Sequence, residues 1–219
     1  MNVLDLFSLE GKVIAVFGHR GLLGSLAMQV VAQLDGQAIG FDLPDCDITD
    51  YANLARNRSL SHHKTIHGCI NCAVGNQSPT SPPQAGAGTD IQIGLVGAIN
   101  TLELFKPQPN GAFILVGSEL SFKAPNPARY GQAFKPASYS AVKHGLVGLT
   151  RYYAALWACQ NIRVNMLCPG PIESGQEPYP NHRMGKLHEL AGPIAFLLSD
   201  ASSFMTGAQL RIDGGATAW

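Results

Sequence analysis

Residues 12–24 constrain the fold of this chain more than any other stretch. Lys12 to Phe17 has the apolar, β-branched character of a buried strand, and it runs directly into Gly18-His19-Arg20-Gly21-Leu22-Leu23-Gly24. An apolar pattern at helical spacing follows through Leu26, Val30, Val31 and Leu34. A strand that passes through a glycine-rich turn into a helix makes a dinucleotide phosphate site. The glycines let the backbone turn tightly against a pyrophosphate, whose charge sits at the helix N-terminus. This reading assigns cofactor contact to Gly18, Arg20, Gly21, Leu22, Leu23 and Gly24. A second short strand, Ala38 to Phe41, ends at Asp42, 18 positions past Gly24. A carboxylate there accepts hydrogen bonds from the adenine ribose and repels a 2′-phosphate, which favours NAD over NADP. Arg20 argues the other way, since a basic residue in this turn could hold that phosphate.

The second informative stretch is Tyr139-Ser140-Ala141-Val142-Lys143. Residues four apart share one face of a helix, and Pro136 suits a first turn. Ala141, Val142, Leu146, Leu149, Tyr153 and Leu156 recur at helical spacing. A free phenol, with a pKa of about 10, is a poor proton shuttle at neutral pH. An ammonium one turn away favours the phenolate. Y-x-x-x-K alone is a weak signal, because a surface lysine beside a half-buried tyrosine is common.

Composition narrows the class. With 219 residues, 46% hydrophobic and 14% charged, the chain reads as one domain, 1–219, with a sizeable core. Lys+Arg and Asp+Glu balance at 15 each, so no excess charge points to nucleic acid or an anionic membrane. No apolar run has the length of a membrane span. The opening MNVLDLFSLEGK lacks the order of a signal peptide, and five cysteines without framework spacing suit a reducing cytoplasm. Cys69-x-x-Cys72, with His62, His63 and His67 nearby, invites a zinc or redox reading. On a strand, however, the two sulfurs point to opposite faces, so no metal site is expected.

The glycine turn, the Tyr139/Lys143 pair and several further pieces resemble the short-chain dehydrogenase/reductase family, over about Leu9 to Gly215. The resemblance implies roles residue by residue. Ser118, after the apolar strand Ala112 to Val116, matches the catalytic serine that positions the substrate oxygen. Tyr139 matches the proton donor, and Lys143 the group that lowers its pKa and holds the nicotinamide ribose. Asp47 and Ile48 would flank the adenine. Asn71 and Ala73 match the family's Asn-Asn-Ala-Gly turn, in which Cys72 and Val74 depart. Pro169, Gly170 and Ile172 match the Pro-Gly turn that holds the nicotinamide carboxamide, and Ser174 takes the place of a cofactor-contacting hydroxyl. Asp213 and its glycines read as structural. Tyr130 has Phe134 rather than lysine four residues on, so it is no rival to Tyr139.

The departures matter as much. The family's turn is G-x-x-x-G-x-G after a threonine; here it is G-x-x-G-x-x-G after Phe17. Almost nothing separates Asp42 from Asp47, so a family helix is expected to be lost and its strand reduced to a vestige at the sheet edge. The next helix should start near Thr49-Asp50. In the helix expected over Asp90 to Phe105, the family's asparagine, which binds a proton-relaying water, is Gly94, a helix-weakening residue. The helical substrate lid is nearly absent between Ser174 and Arg183. Loops at Gly75–Gly88 and Lys123–Tyr130 should flank the substrate mouth.

The expectation is therefore an α/β fold. It is a Rossmann-type doubly wound parallel sheet of about six strands with helices on both faces. The expected function is an NAD(P)(H)-dependent oxidoreductase that interconverts an alcohol and a carbonyl, with NAD favoured. A catalytically weak dinucleotide-binding sensor or partner subunit is the alternative, motivated by Gly94 and the missing lid. The resemblance also implies a homodimer or homotetramer.

Overall fold

The computed structural model of the protein describes residues 2–74, 87–126, 135–173 and 183–218. Six strands form one sheet: β1 (Val13–Phe17), β2 (Gln37–Phe41), β3 (Gly68–Asn71), β4 (Ala112–Val116), β5 (Arg163–Pro169) and β6 (Gln209–Ile212). Their order across the sheet is β2-β1-β3-β4-β5-β6, and every pairing is parallel. The chain first steps from β1 to β2 on one side, then returns to place β3 on the other side of β1. That reversal makes the carboxyl edge between β1 and β3 the topological switch point, where open α/β sheets bind ligands.

Strand alternation sorts the core into two layers. Ala15, Phe17, Cys69, Phe113, Leu115, Val164 and Met166 face one cluster. Helices α2 (Tyr51–Leu60), α4 (Gly97–Leu104) and α5 (Ala137–Trp157) contribute Leu54, Leu102, Val142 and Leu146 to it. Ile14, Val16, Ile70, Ile114, Val116 and Leu167 face the other layer, covered by α1 (Leu22–Gln33) and α6 (Ala191–Leu198) through Leu26, Val30, Ile194 and Leu197. Cys69 belongs to the first layer and Cys72 to the second, so the two thiols lie on opposite faces of the sheet. Among the described residues no group of three His, Cys, Asp or Glu is placed to hold a metal ion. Nor is any described helix long and apolar enough to cross a membrane.

Phe17, the residue in place of the family's threonine, is fully buried. Its ring stacks on Phe41 at 5.3 Å and meets Phe105 edge-on at 4.8 Å. Each such pair contributes about 0.5–1.5 kcal/mol beyond area burial. Together the three rings tie the ends of β1 and β2 to the end of α4.

Between β2 and α2 the structure corrects one expectation, because no vestigial strand lies beside β2. A parallel neighbour would need a crossover of roughly a dozen residues, and only Asp42–Asp50 are available. These residues coil into turns instead: Cys46 N–H donates to the Asp42 carbonyl, and Thr49 donates through N–H and Oγ1 to Asp47 Oδ1 at 2.8 Å each. Asp50 then caps α2 by accepting from Asn53 N–H. The helix expected over Asp90 to Phe105 begins earlier, as α3 (Ala87–Ile91), and continues into α4 through a π-helical turn at Gln92–Val96.

Candidate active site

The phosphate turn is built by close backbone approach. Gly18 has φ +72°, and a Cβ there would lie 2.9 Å from Ala73 N. A Cβ on Gly24 would lie 2.0 Å from the Gly18 carbonyl oxygen, so no other residue fits. Gly21 N–H donates to Gly18 O at 3.0 Å and Gly21 caps α1, with Leu22 exposed and Leu23 packed on the second core layer.

Beside this turn a cavity of about 560 Å³ is lined by Gly18, Phe41, Asp42, Asp47, Ile48 and Ala73, among others. Asp42 stands at its edge and accepts from Arg20 N–H through Oδ2 and from its neighbour Leu43 N–H through Oδ1, both at 2.9 Å. Each carboxylate oxygen retains a second lone pair for a further donor. The Arg20 guanidinium turns to the Leu43 carbonyl and to Asp45 Oδ2 at 3.3 Å.

Asn71 closes β3. Its Nδ2 donates to Thr101 Oγ1 and its Oδ1 accepts from Ala73 N–H, each at 3.0 Å, which fixes the backbone that Gly18 abuts. Thr101, fully buried on α4, was not legible as a site residue, because only its pairing with Asn71 reveals the role.

Tyr139, half-buried, and Lys143, 4% exposed, share the first two turns of α5. Lys143 Nζ lies 5.6 Å from the centroid of the Tyr139 ring and donates to the Val116 carbonyl at 2.9 Å. Burial lowers its pKa from 10.5 to about 8, opposed by the nearby thiols of Cys168 and Cys72. A narrow cleft of about 20 Å³ is lined by both residues together with Asn71, Ala73, Asp90 and Val116, among others. Ala73 lines both this cleft and the larger cavity, so the two adjoin.

Ser118, 8% exposed, does not line that cleft. It is the second residue after β4 and caps the short turn Glu119–Ser121, with its Oγ accepting from Leu120 N–H at 3.2 Å. A hydroxyl that accepts this bond keeps its own proton to donate. At the far end of β5, Pro169 is the last strand residue. Gly170 N–H donates to Ile212 O, and a Cβ on Gly170 would sit 2.8 Å from Asp213 Cα. Gly170 and Ile172 line a third cavity of about 330 Å³, whose lining includes the Arg183–Glu189 ion pair at 2.7 Å. Ser174 and Tyr130 lie outside the described residues, as do 75–86 of the expected mouth loop.

Gly94 falls inside the π turn, facing α5. A Cβ there would come within 2.3 Å of Val142 Cγ1. Reciprocally, a Cβ on Gly145 of α5 would meet Leu95 Cδ2 at 2.8 Å. Each glycine thus receives a side chain of the other helix, and the place of the family's asparagine is filled by Val142.

Comparison with known proteins agrees over the whole length. Residues 6–217 match the family profile described as enoyl-(acyl carrier protein) reductase. A short-chain dehydrogenase/reductase of Aspergillus versicolor is 25% identical over 273 aligned positions, covering all of this chain and 91% of that protein. The NADP-dependent mannitol dehydrogenase of Hypocrea jecorina is 28% identical over 264 positions, covering 99% and 96%. A short chain dehydrogenase of Leptospira borgpetersenii, solved with bound NAD+, superposes with a TM-score of 0.84 at 25% identity, covering 99% of this chain and 96% of that one. Glycine turn, sheet order, the helix that carries Tyr139 and the buried Lys143, and full-length similarity coincide, and the chain belongs to the short-chain dehydrogenase/reductase family.

Proposed function

We propose that this protein is an NAD(H)-dependent oxidoreductase that interconverts an alcohol and a carbonyl, with Ser118, Tyr139 and Lys143 as its catalytic set. The observation that carries the reading is the buried Lys143 ammonium, one helical turn from Tyr139 and in the same cleft. An ammonium beside a phenol stabilises the phenolate, so Tyr139 can release a proton to a nascent alkoxide and take it back in the reverse direction. Ser118, whose proton is not used by the turn it caps, would donate to the substrate oxygen.

The residues present fit a nicotinamide dinucleotide. The Gly18/Gly24 contact leaves no room for a Cβ, which is the cradle a pyrophosphate needs, and it opens onto the cavity edged by Asp42. Bound, that cofactor would carry the hydride. Asp42 and Asp47 would hold the adenosine, and the turn at Pro169–Ile172 the nicotinamide end. NAD is favoured over NADP, because a 2′-phosphate at this edge would meet Asp42 and Asp45 while Arg20 is already engaged by Asp45.

The test is Tyr139→Phe, assayed with NADH against a carbonyl panel. Turnover should fall by at least the hundredfold that general acid catalysis supplies, with NADH affinity retained. Unchanged turnover in the variant would refute the mechanism. A binding protein without turnover is the second reading, favoured by Gly94, and it requires NADH binding with no reduction anywhere on the panel.

A further inference from the structure

We propose that Glu189 is the positioning residue for the nicotinamide end of the cofactor site, acting through Arg183 and Gly185 on the backbone of Ile172. The inference rests on the dinucleotide reading of the Pro169–Ile172 turn.

β5 ends at Pro169, and the sheet's last hold on the chain beyond it is the bond from Gly170 N–H to Ile212 O. After that the backbone of residues 171–173 is held by Gly185. Gly185 N–H donates to the Pro171 carbonyl at 3.0 Å, and the Gly185 carbonyl accepts from Glu173 N–H at 2.8 Å. The two bonds make an isolated parallel bridge between Ile172 and Gly185. In a parallel ladder, a residue that bonds both neighbours of its partner leaves the partner's own N–H and C=O pointing the other way. Ile172 therefore turns one donor and one acceptor away from Gly185, and no other described backbone group engages either. A carboxamide, with one acceptor and two donors, needs that complementary pair. The approach is close, since a Cβ on Gly185 would lie 3.1 Å from Ile172 Cδ1.

One carboxylate holds Gly185 in place. Glu189 accepts a fork from Arg183, Nη1 to Oε2 at 2.7 Å and Nη2 to Oε1 at 2.8 Å, and it also accepts from Lys186 N–H at 2.7 Å. These donors flank Gly185 in sequence, so the carboxylate secures the stretch 183–186 at both ends. A bidentate pair fixes orientation as well as distance. Glu189 is itself anchored, in the turn Leu187–Leu190 ahead of α6, where Leu190, Ile194 and Leu197 are buried in the second core layer. The hydrogen bonds from Arg183 and Lys186 hold the Glu189 carboxyl at about 2, so it keeps its charge at any pH used for a binding assay. The clasp thus runs from the core through Glu189, Arg183 and Gly185 to Ile172. The adenosine end is remote from it: Asp42 follows β2, four strand spacings from β5, about 19 Å across the sheet. Loosening the clasp should therefore weaken the hold on nicotinamide and spare the hold on adenosine.

The test is Glu189→Gln in the full-length protein. The amide keeps an oxygen for Lys186 N–H but sets an NH2 against one arm of the guanidinium. NADH is titrated by nicotinamide fluorescence. ADP-ribose, which carries the adenosine and pyrophosphate but no nicotinamide, is titrated by calorimetry. NADH should bind roughly fivefold more weakly, the upper range for an exposed ion pair, with ADP-ribose within about twofold of wild type. In the cofactor-free variant the Gly185 and Glu173 amide hydrogens should exchange with solvent faster than in the wild type. Wild-type NADH affinity in the variant overturns the proposal, as does unchanged exchange at both amides. Equal weakening of both ligands, the mark of general damage, overturns it too. Should Glu189→Gln not fold, Arg183→Gln, which removes the other half of the fork, decides by the same split. Failure of the dinucleotide reading shows differently, as no NADH binding by the wild-type protein, and the proposal then falls with it.

Discussion

At the residue scale, Lys143 shows how function is held against stability. Its charge is buried against one carbonyl and two thiols, and burial brings its pKa to about 8. That displacement corresponds to on the order of 3 kcal/mol of cost to the charged form in the folded state. In the unfolded chain the lysine keeps its proton up to about 10.5. Between these two values the unfolded state binds more protons, so stability rises with pH across the window. Relative to Lys143→Met, the wild-type protein should therefore gain stability as pH rises from about 8 to 10.5, measured by denaturant unfolding at each pH. A difference that stays flat across the window would show the lysine is not buried as a cation. Tyr139 and Lys143 were legible in the sequence because helical spacing puts them on one face and the glycine turn upstream agreed with that weak signal. The partners of Lys143 were not, since Val116, Cys72 and Cys168 come from three separate strand ends.

At the scale of elements, the contact between the π turn and α5 accounts for the most conspicuous departure from the family. Gly94 and Gly145 each admit a side chain of the opposite helix, and Val142, β-branched and stiff at χ1, cannot easily withdraw. Gly94→Asn, which would restore the family's residue, should destabilise the protein by about 1–3 kcal/mol through overpacking. The melting temperature should drop by roughly 2–4 °C per kcal/mol, and adding Val142→Ala should recover most of the loss. An unaltered melting temperature in the single variant would mean that Val142 does not occupy this space. Sequence reading identified Gly94 as a missing side chain. It had no access to what replaces it, because the replacement comes from 48 residues downstream.

At the scale of the whole molecule, the chain carries the family fold in fewer residues: 219 residues pair with the Aspergillus relative over 273 aligned positions. Apolar runs made the strands at 12–17, 38–41 and 112–116 readable, because the two faces of a parallel sheet dictate those patterns. The last strand was read from the family resemblance, and the order that puts the switch point between β1 and β3 emerges only in the structure. The missing crossover after β2 was also readable, from the short interval between Asp42 and Asp47. That the interval holds only turns was not, since a vestigial edge strand and a coil look alike in five residues of mixed polarity. The shortening leaves β2 at the sheet edge, with Asp42 at its end beside the cavity where the adenosine would sit. Whether this reduced edge still binds a dinucleotide decides the account. The direct measurement is titration of the purified protein with NADH and, separately, NADPH, following nicotinamide fluorescence. The account requires saturable NADH binding, with NADPH at least tenfold weaker as a 2′-phosphate beside Asp42 and Asp45 demands, about 1.4 kcal/mol. Absence of binding by either nucleotide would contradict it.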